Sequence, residues 1–385
     1  MTEKFRIKIY RVLLKIKLSK LYFRSFIVRK IGILIPFNKL STAKRILFIS
    51  ESNPISKNQI FPFFFYNQAL SKKAIALREL PIERFKSNKH SYNDQIDIVF
   101  LQTWFDYTSD EMNKLVLSIK QKWPQAKLVY ADWFAHTDLR YAKVLDRSIV
   151  AYYKKTIIKD FNQYYKPTNK HTFISNYYSR LLNLPDEVGY FEVPDNFQKN
   201  IFVGSSFAFA DYIMIRFFQP FPDHKNRSID IHLRIAVSGS PWYQEMRQQC
   251  FYRVKNCNSR NILVSEDRIS RNSFINELLN SKICFSPFGY GEVCWRDFEA
   301  ICTGSLLFKQ DMSHTISNPD IFIPYVTYIP LAWDLSDFDE KLDYYLNNPT
   351  ERIKITRNAF ERVRNYFINN EFLTDVRPLL ERLNL

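Results

Sequence analysis

The sequence predicts an α/β protein of two Rossmann-like, doubly wound domains, preceded by a basic amphipathic N-terminal segment. Three observations carry this. The chain has 385 residues, and with domains of ~100–200 residues it is long enough for two cores. From Lys44 onward, short apolar runs alternate with segments of helical periodicity in two successive series, the pattern of parallel sheets with crossover helices. The composition, 46% hydrophobic and 24% charged, is an ordinary globular mix that excludes a disordered or coiled-coil design.

Taken in order, the N-terminal segment repeats Lys4, Lys8, Arg11 and Lys15 at helical spacing, with Ile9, Leu13 and Ile16 on another face. Ile46 to Ile49 reads as a buried strand ending in Ser50-Glu51-Ser52-Asn53-Pro54, and residues 59–74 read as helical. Ile96 to Leu101 is the next strand. Ser109 then caps a helix with Met112, Leu115, Val116 and Ile119 on one face and Asp110 and Glu111 in its first turn. Pro124 ends that helix, and Leu128 to Ala131 follows as a strand. Residues 140–200 are rich in Tyr and Lys and show no clear period. The second series runs through strands Ile229 to Val237, Ile262 to Val264, Ile283 to Phe285 and Ser305 to Phe308, with helices from Pro241, over 271–280 and near 292–303. The tail predicts two helices interrupted at Asn347-Asn348-Pro349. The expected divisions are 1–43, 44–200, 201–355 and 356–385.

The net charge of +16 is localised, because residues 1–45 hold thirteen Lys and Arg against one acid, Glu3. A nucleic-acid enzyme needs basic side chains along its working groove, so the localisation argues for no nucleic-acid partner. No uncharged run in this segment approaches the ~20 residues that span a bilayer. A basic amphipathic helix of this kind lies on an anionic membrane surface, and the expected place is cytoplasmic, on the inner face of a membrane through residues 1–40. Packing on the body, or a solvated arm, is the alternative. The five cysteines contain no C-x-x-C pair and suit a reducing cytoplasm; the six histidines show no ligand spacing, so no metal is expected.

Candidate chemistry concentrates in 282–308. Three of the seven glycines, Gly289, Gly291 and Gly304, fall here. A buried strand runs into Ser286-Pro287-Phe288-Gly289-Tyr290-Gly291, and a helix opens near Glu292, a geometry that offers backbone N–H groups and a helix dipole to an anion. Glu292, Arg296, Glu299 and Thr303 form one polar stripe on that helix, which either faces a cleft at the sheet's carboxyl edge or carries an ordinary surface ion pair. Ser238-Gly239-Ser240-Pro241 is either a second phosphate-facing turn or a simple cap with proline at its first position. Asp132, His136, Asp138 and Arg140 directly follow the strand Leu128 to Ala131, where an Asp or His is placed to take a proton from an attacking hydroxyl. Their alternative roles are helix cap and loop. His314 is a weaker candidate. Trp104, Trp133, Trp242 and Trp295 stack on sugar rings or, more commonly, pack in a core.

The stretch Arg296-Asp297-Phe298-Glu299-Ala300 followed by Gly304 resembles the R-x-F-E-A-x-x-x-G donor helix of GT-B glycosyltransferases, especially exostosin-like and spore-coat-maturation-like members. The resemblance covers about 230–370. It implies two domains facing a cleft, Glu299 on the ribose hydroxyls of a nucleotide sugar and Arg296 at its diphosphate, with no metal or cofactor. It also implies that the final helix returns to the first domain. The chain departs from the retaining pattern: a second glutamate with seven residues between it and Glu299 would fall at Gly291, and the nearest acid is Glu292, with six between, so retention or inversion stays open. On this reading Gly239, Ser240, Ser286, Gly289, Tyr290, Gly291, Glu292, Arg296 and Glu299 bind the donor, and Asp132, His136 and Asp138 hold the base. The implied function is transfer of a sugar to a glycan or lipid-linked acceptor in cell-surface polysaccharide synthesis. The rival is a non-catalytic nucleotide- or glycan-binding scaffold of the same fold.

Overall fold

The computed structural model describes residue 37 and residues 43–87, 95–169, 172–185, 188–189, 191–257 and 261–385. The basic amphipathic segment and its membrane role lie outside the described residues, apart from Phe37 and Ala43. Phe37 is buried, with the Arg78 guanidinium 4.7 Å above its ring.

β1 (Lys44–Ser50) leads through the Asn53 cap, whose side chain accepts from Ile55 N and Ser56 N, into α1 (Pro54–Phe65). β2 (Ile75–Pro81) and β3 (Ile98–Leu101) pair with β1 on either side, all parallel. α2 (Ser109–Lys122) buries the expected Met112, Leu115, Val116 and Ile119. Its cap is Thr108 rather than Ser109, because Thr108 and Glu111 bond reciprocally across the first turn. β4 (Lys127–Asp132), β5 (Ala151–Lys154) and a later strand, Ile201–Val203, complete a six-stranded parallel sheet. That last strand lies just past the expected boundary at 200.

After β5 come β6 (Thr156–Ile158), α3 (Phe173–Leu181), β7 (Ile201–Val203) and α4 (Asp211–Phe217). The second domain then runs β8 (Ile229–Arg234), α5 (Pro241–Lys255), β9 (Ile262–Ser265), α6 (Arg271–Leu279), β10 (Ser281–Phe285), α7 (Trp295–Thr303) and β11 (Leu306–Gln310). β12 (Thr315–Ser317) and β13 (Ile329–Leu331) follow. The strand orders are β2-β1-β3-β4-β5-β7 and β9-β8-β10-β11-β13. Each order reverses beside its first strand, between β1 and β3 and between β8 and β10, and ligands of open parallel sheets sit at the carboxyl side of such reversals.

Two features join the domains. β12 pairs antiparallel with β6, register Thr315↔Ile158 to Ser317↔Thr156, so a strand of the second domain is hydrogen-bonded to the first. The chain end also returns: after α8 (Phe338–Asn347) and α9 (Pro349–Ile368) come α10 (Glu371–Asp375) and α11 (Arg377–Arg382). Phe372 packs edge-on against Phe63 and stacks on Tyr66 of the first domain, and Lys127 Nζ donates to the Leu383 carbonyl. The long last helix of the sequence expectation is broken at Asn370, which takes a left-handed φ of 55°. Among the described residues no helix is long and apolar enough to cross a membrane.

Candidate active site between the two domains

α7 begins at Trp295, not near Glu292. Cys294 occupies the cap position, and the Asp297 carboxylate reaches back to Cys294 N at 2.8 Å. Glu292 therefore belongs to the preceding turn, and the expected stripe shortens to Arg296, Glu299 and Thr303. Thr303 spends its hydroxyl on the carbonyls of Glu299 and Ala300. Asp297 is fully buried and also pairs with Lys309 at 3.0 Å and accepts from Ser286 Oγ at 2.6 Å. The Ser286 hydroxyl proton is thus spent on Asp297. Gly304 ends the helix at φ 73°, a left-handed conformation that favours glycine.

Glu299 is buried, with Tyr212 Oη donating to its Oε1 at 2.8 Å. Burial chiefly raises its pKa, while the Tyr212 hydrogen bond and the Arg296 and Arg271 charges oppose that rise. Arg296 donates to the Arg234 carbonyl at the end of β8, and its Nε is buried without a hydrogen-bond acceptor. The side chain reaches from α7 toward the β8–β10 reversal. Trp295 is sandwiched between Phe207, at 4.6 Å and 21°, and Tyr212, at 5.9 Å and 17°.

The glycines do different work from that expected. A Cβ on Gly291 would lie 1.8 Å from the Ala135 carbonyl oxygen, so the missing side chain admits first-domain backbone. A Cβ on Gly289 would meet nothing closer than Cys294 Sγ at 3.5 Å. On Gly239 it would strike the Tyr243 ring at 2.6 Å and the Tyr290 hydroxyl at 2.7 Å. Tyr290 stacks on Tyr243 at 4.2 Å and 6°, and its hydroxyl accepts from Ser240 N at 3.1 Å. Ser240 stands at the cap position of α5, yet its own hydroxyl is buried and takes no hydrogen bond.

Glu292 is 1% exposed and lies between the domains. Thr137 Oγ1 donates to its Oε1 at 3.3 Å, and His314 Nε2 stands 3.5 Å from the same oxygen. Its Oε2 has no hydrogen-bond donor. His314, read from sequence as a minor candidate, is thereby brought to the turn that opens α7.

On the first-domain wall, Asp132 is 0% exposed and accepts from Tyr152 Oη at 2.7 Å, Lys154 Nζ at 2.8 Å and Phe134 N at 3.0 Å. Its oxygens are consumed in the scaffold. Asp138 accepts from Arg140 Nε at 2.9 Å and Nη2 at 2.7 Å. Burial would raise Asp138, but the charge and hydrogen bonds of Arg140 outweigh it and hold the carboxyl below its usual value. His136 differs. It is half-buried, its ring 6.3 Å from Phe105 and 5.9 Å from Tyr290 across the cleft. Burial, chiefly, pushes its pKa down to about 4, so the imidazole is neutral at physiological pH. Trp133 and Trp242 are buried, whereas Trp104 is exposed at the rim.

Several cleft residues escaped the sequence reading. Arg247 of α5 donates to the Phe288 carbonyl at 2.9 Å and lies over the Tyr243 ring at 4.6 Å. Lys309 and Lys155 are both buried. The available signal was a lysine at the end of an otherwise apolar strand, at Lys154-Lys155 and at Lys309, and it was weak because charged strand ends are common.

Two parallel α/β domains that face each other and share a returning C-terminal tail make the GT-B arrangement. Residues 216–375, which include α7, match the family described as glycosyl transferase-like. No curated protein matches the chain. Among solved structures, an alpha-glucosyltransferase in complex with UDP and a 13-mer DNA containing an HMU base is 11% identical, with 87% of this chain and 99% of that chain covered and a TM-score of 0.48. A glycosyltransferase from Rickettsia africae is 12% identical, with 89% and 99% covered and a TM-score of 0.44. TarM is 10% identical, with 75% and 55% covered and a TM-score of 0.44.

Proposed function

We propose that the protein is a glycosyltransferase that moves a hexosyl or related sugar from a nucleotide-diphosphate donor to a glycan or lipid-linked acceptor of a cell-surface polysaccharide. The observation that carries this reading is α7. Arg296 and Glu299 stand on it at the carboxyl side of the second sheet, inside the segment that matches a glycosyl transferase-like family. The R-x-F-E-A-x-x-x-G spacing supports the exostosin-like or spore-coat-like branch. In this reading Glu299 accepts from the ribose hydroxyls, while Arg296 and the α7 N-terminus hold the diphosphate without a metal.

His136 takes the acceptor's proton. As the acceptor oxygen bonds to the anomeric carbon, the bond from that carbon to the phosphate oxygen breaks and its electron pair leaves with the nucleoside diphosphate. The low pKa of His136 keeps the imidazole in its accepting form. The basic segment 1–40 would keep the enzyme at the inner face of a membrane, near a lipid-linked acceptor.

A thermal-shift panel of nucleoside diphosphates on the full chain tests the donor assignment. At a hundred times Kd one of them stabilises the fold by about 2.7 kcal/mol. A panel in which none raises the melting temperature contradicts the reading.

A further inference from the structure

Lys155 lies at the carboxyl edge of the first sheet, one residue past β5, its backbone N–H donating to the Asp132 carbonyl at 3.1 Å. The residue is 3% exposed, and its ammonium has no hydrogen-bond acceptor. It sits over the Phe207 ring at 4.4 Å, and Phe207 is stacked on Trp295, the first residue of α7. A ring face attracts a cation but leaves the three N–H donors of an ammonium unmatched.

The surroundings supply little compensation. The Asp132 carboxylate is already paired with Lys154 at 2.8 Å. Burial, followed by the Lys154 charge, pushes the Lys155 pKa down to about 8 against the weaker opposing pull of Cys294, Asp132 and Glu292. Through the Phe207 ring the ammonium neighbours the start of α7, where the helix dipole is positive. Arg296, the second residue of α7, carries a guanidinium whose buried Nε is likewise without an acceptor. An unmatched cation beside a helix N-terminus is unfavourable in isolation, and an anion placed between them adds attractions that offset the repulsion.

We infer that Lys155 binds phosphate oxygens of the nucleoside diphosphate from the first-domain wall, opposite Arg296 and the α7 N-terminus, so that the bound anion ties the two domains together. This rests on the donor reading of the proposed function. It adds a residue outside the matched segment 216–375 and makes donor binding a property of both domains.

The test is calorimetric titration of the full chain with UDP, ADP, GDP, CDP and TDP, with the nucleoside of whichever binds, and with inorganic pyrophosphate. Wild type is compared with Lys155→Met, which keeps length without charge, and with Lys155→Gln. Loss of a charge-assisted hydrogen bond weakens binding by about ten-fold or more. Both variants should lose that much for the diphosphate and for pyrophosphate, keep wild-type affinity for the nucleoside, and melt no lower than wild type, since a buried unmatched charge is removed. Undiminished diphosphate affinity in the variants overturns the inference while the donor reading stands. Parallel loss of nucleoside and diphosphate affinity with a lowered melting temperature assigns Lys155 to the fold and also overturns it. A wild type that binds none of the diphosphates overturns the inference and the donor reading together.

Discussion

Glu299 and Arg296 stand three residues apart on α7 but have different partners, so their variants should fail differently. Glu299→Gln keeps the shape and the Tyr212 contact but offers a neutral acceptor; it should weaken ribonucleotides about ten-fold and reduce discrimination against the deoxyribose analogue, as read by titration. Arg296→Lys keeps the charge and loses the planar fork, so it should weaken the diphosphate and leave the nucleoside unchanged. The two first-domain aspartates belong to another category. Asp132→Asn removes the charge that balances the buried Lys154 ammonium, leaving it the His136 carbonyl, and removing one partner of a buried pair costs about 3–5 kcal/mol, which should appear as a large drop in melting temperature. His136→Ala should instead keep the fold and nucleotide affinity and lose turnover by 10²-fold or more, on the order of a general-base effect. Sequence spacing placed Arg296 and Glu299 together because a helix fixes which residues share a face. It did not reveal that Asp132 is claimed by Lys154, twenty-two residues away and on the adjacent strand, since sheet pairing brings them together, nor that Lys155 lies on a ring stacked against Trp295 of α7, since that contact crosses between elements far apart in sequence.

Element boundaries were legible where chemistry is local. The break at Asn347-Asn348-Pro349 falls between α8 and α9 as expected, because proline is favoured at a helix start. β2 was not legible. Its Arg78-Glu79 pair looks solvated in sequence, yet both are buried, with Ser50 Oγ donating to Glu79 at 2.7 Å. The start of α7 shifted from near 292 to Trp295 because a cysteine stands where the capping box normally has Ser or Thr. The resulting turn holds Gly291 against Ala135, so Gly291→Ala must separate two backbones. That variant should lose thermal stability and diphosphate affinity together, whereas Gly289→Ala, with ordinary clearance, should change stability little.

At the scale of the whole molecule, the returning tail and the β6–β12 pair hold the domains face to face. Phe372 is 1% exposed among first-domain rings. Phe372→Ala should cost about 3–5 kcal/mol, measured by denaturant unfolding. Acid should weaken the same assembly at His136. That residue binds its proton at 6.5 when unfolded and about 4 when folded, so the unfolded chain takes up more protons in between. The contribution is whole above 6.5 and is lost as pH falls toward 4. His136→Gln should therefore lose less stability than wild type over that window, a difference read from melting temperatures at each pH.

Transfer of a sugar from a nucleotide donor in the cleft can be measured by incubating the full chain with a panel of nucleotide-diphosphate sugars and following the nucleoside diphosphate released. A transferase releases it slowly from one donor class in the absence of acceptor, about ten-fold less or lower still in Glu299→Gln with the fold intact. Binding of a nucleotide sugar without release, with or without glycan and lipid-linked acceptors, would contradict such transfer and leave a binding scaffold in place of an enzyme.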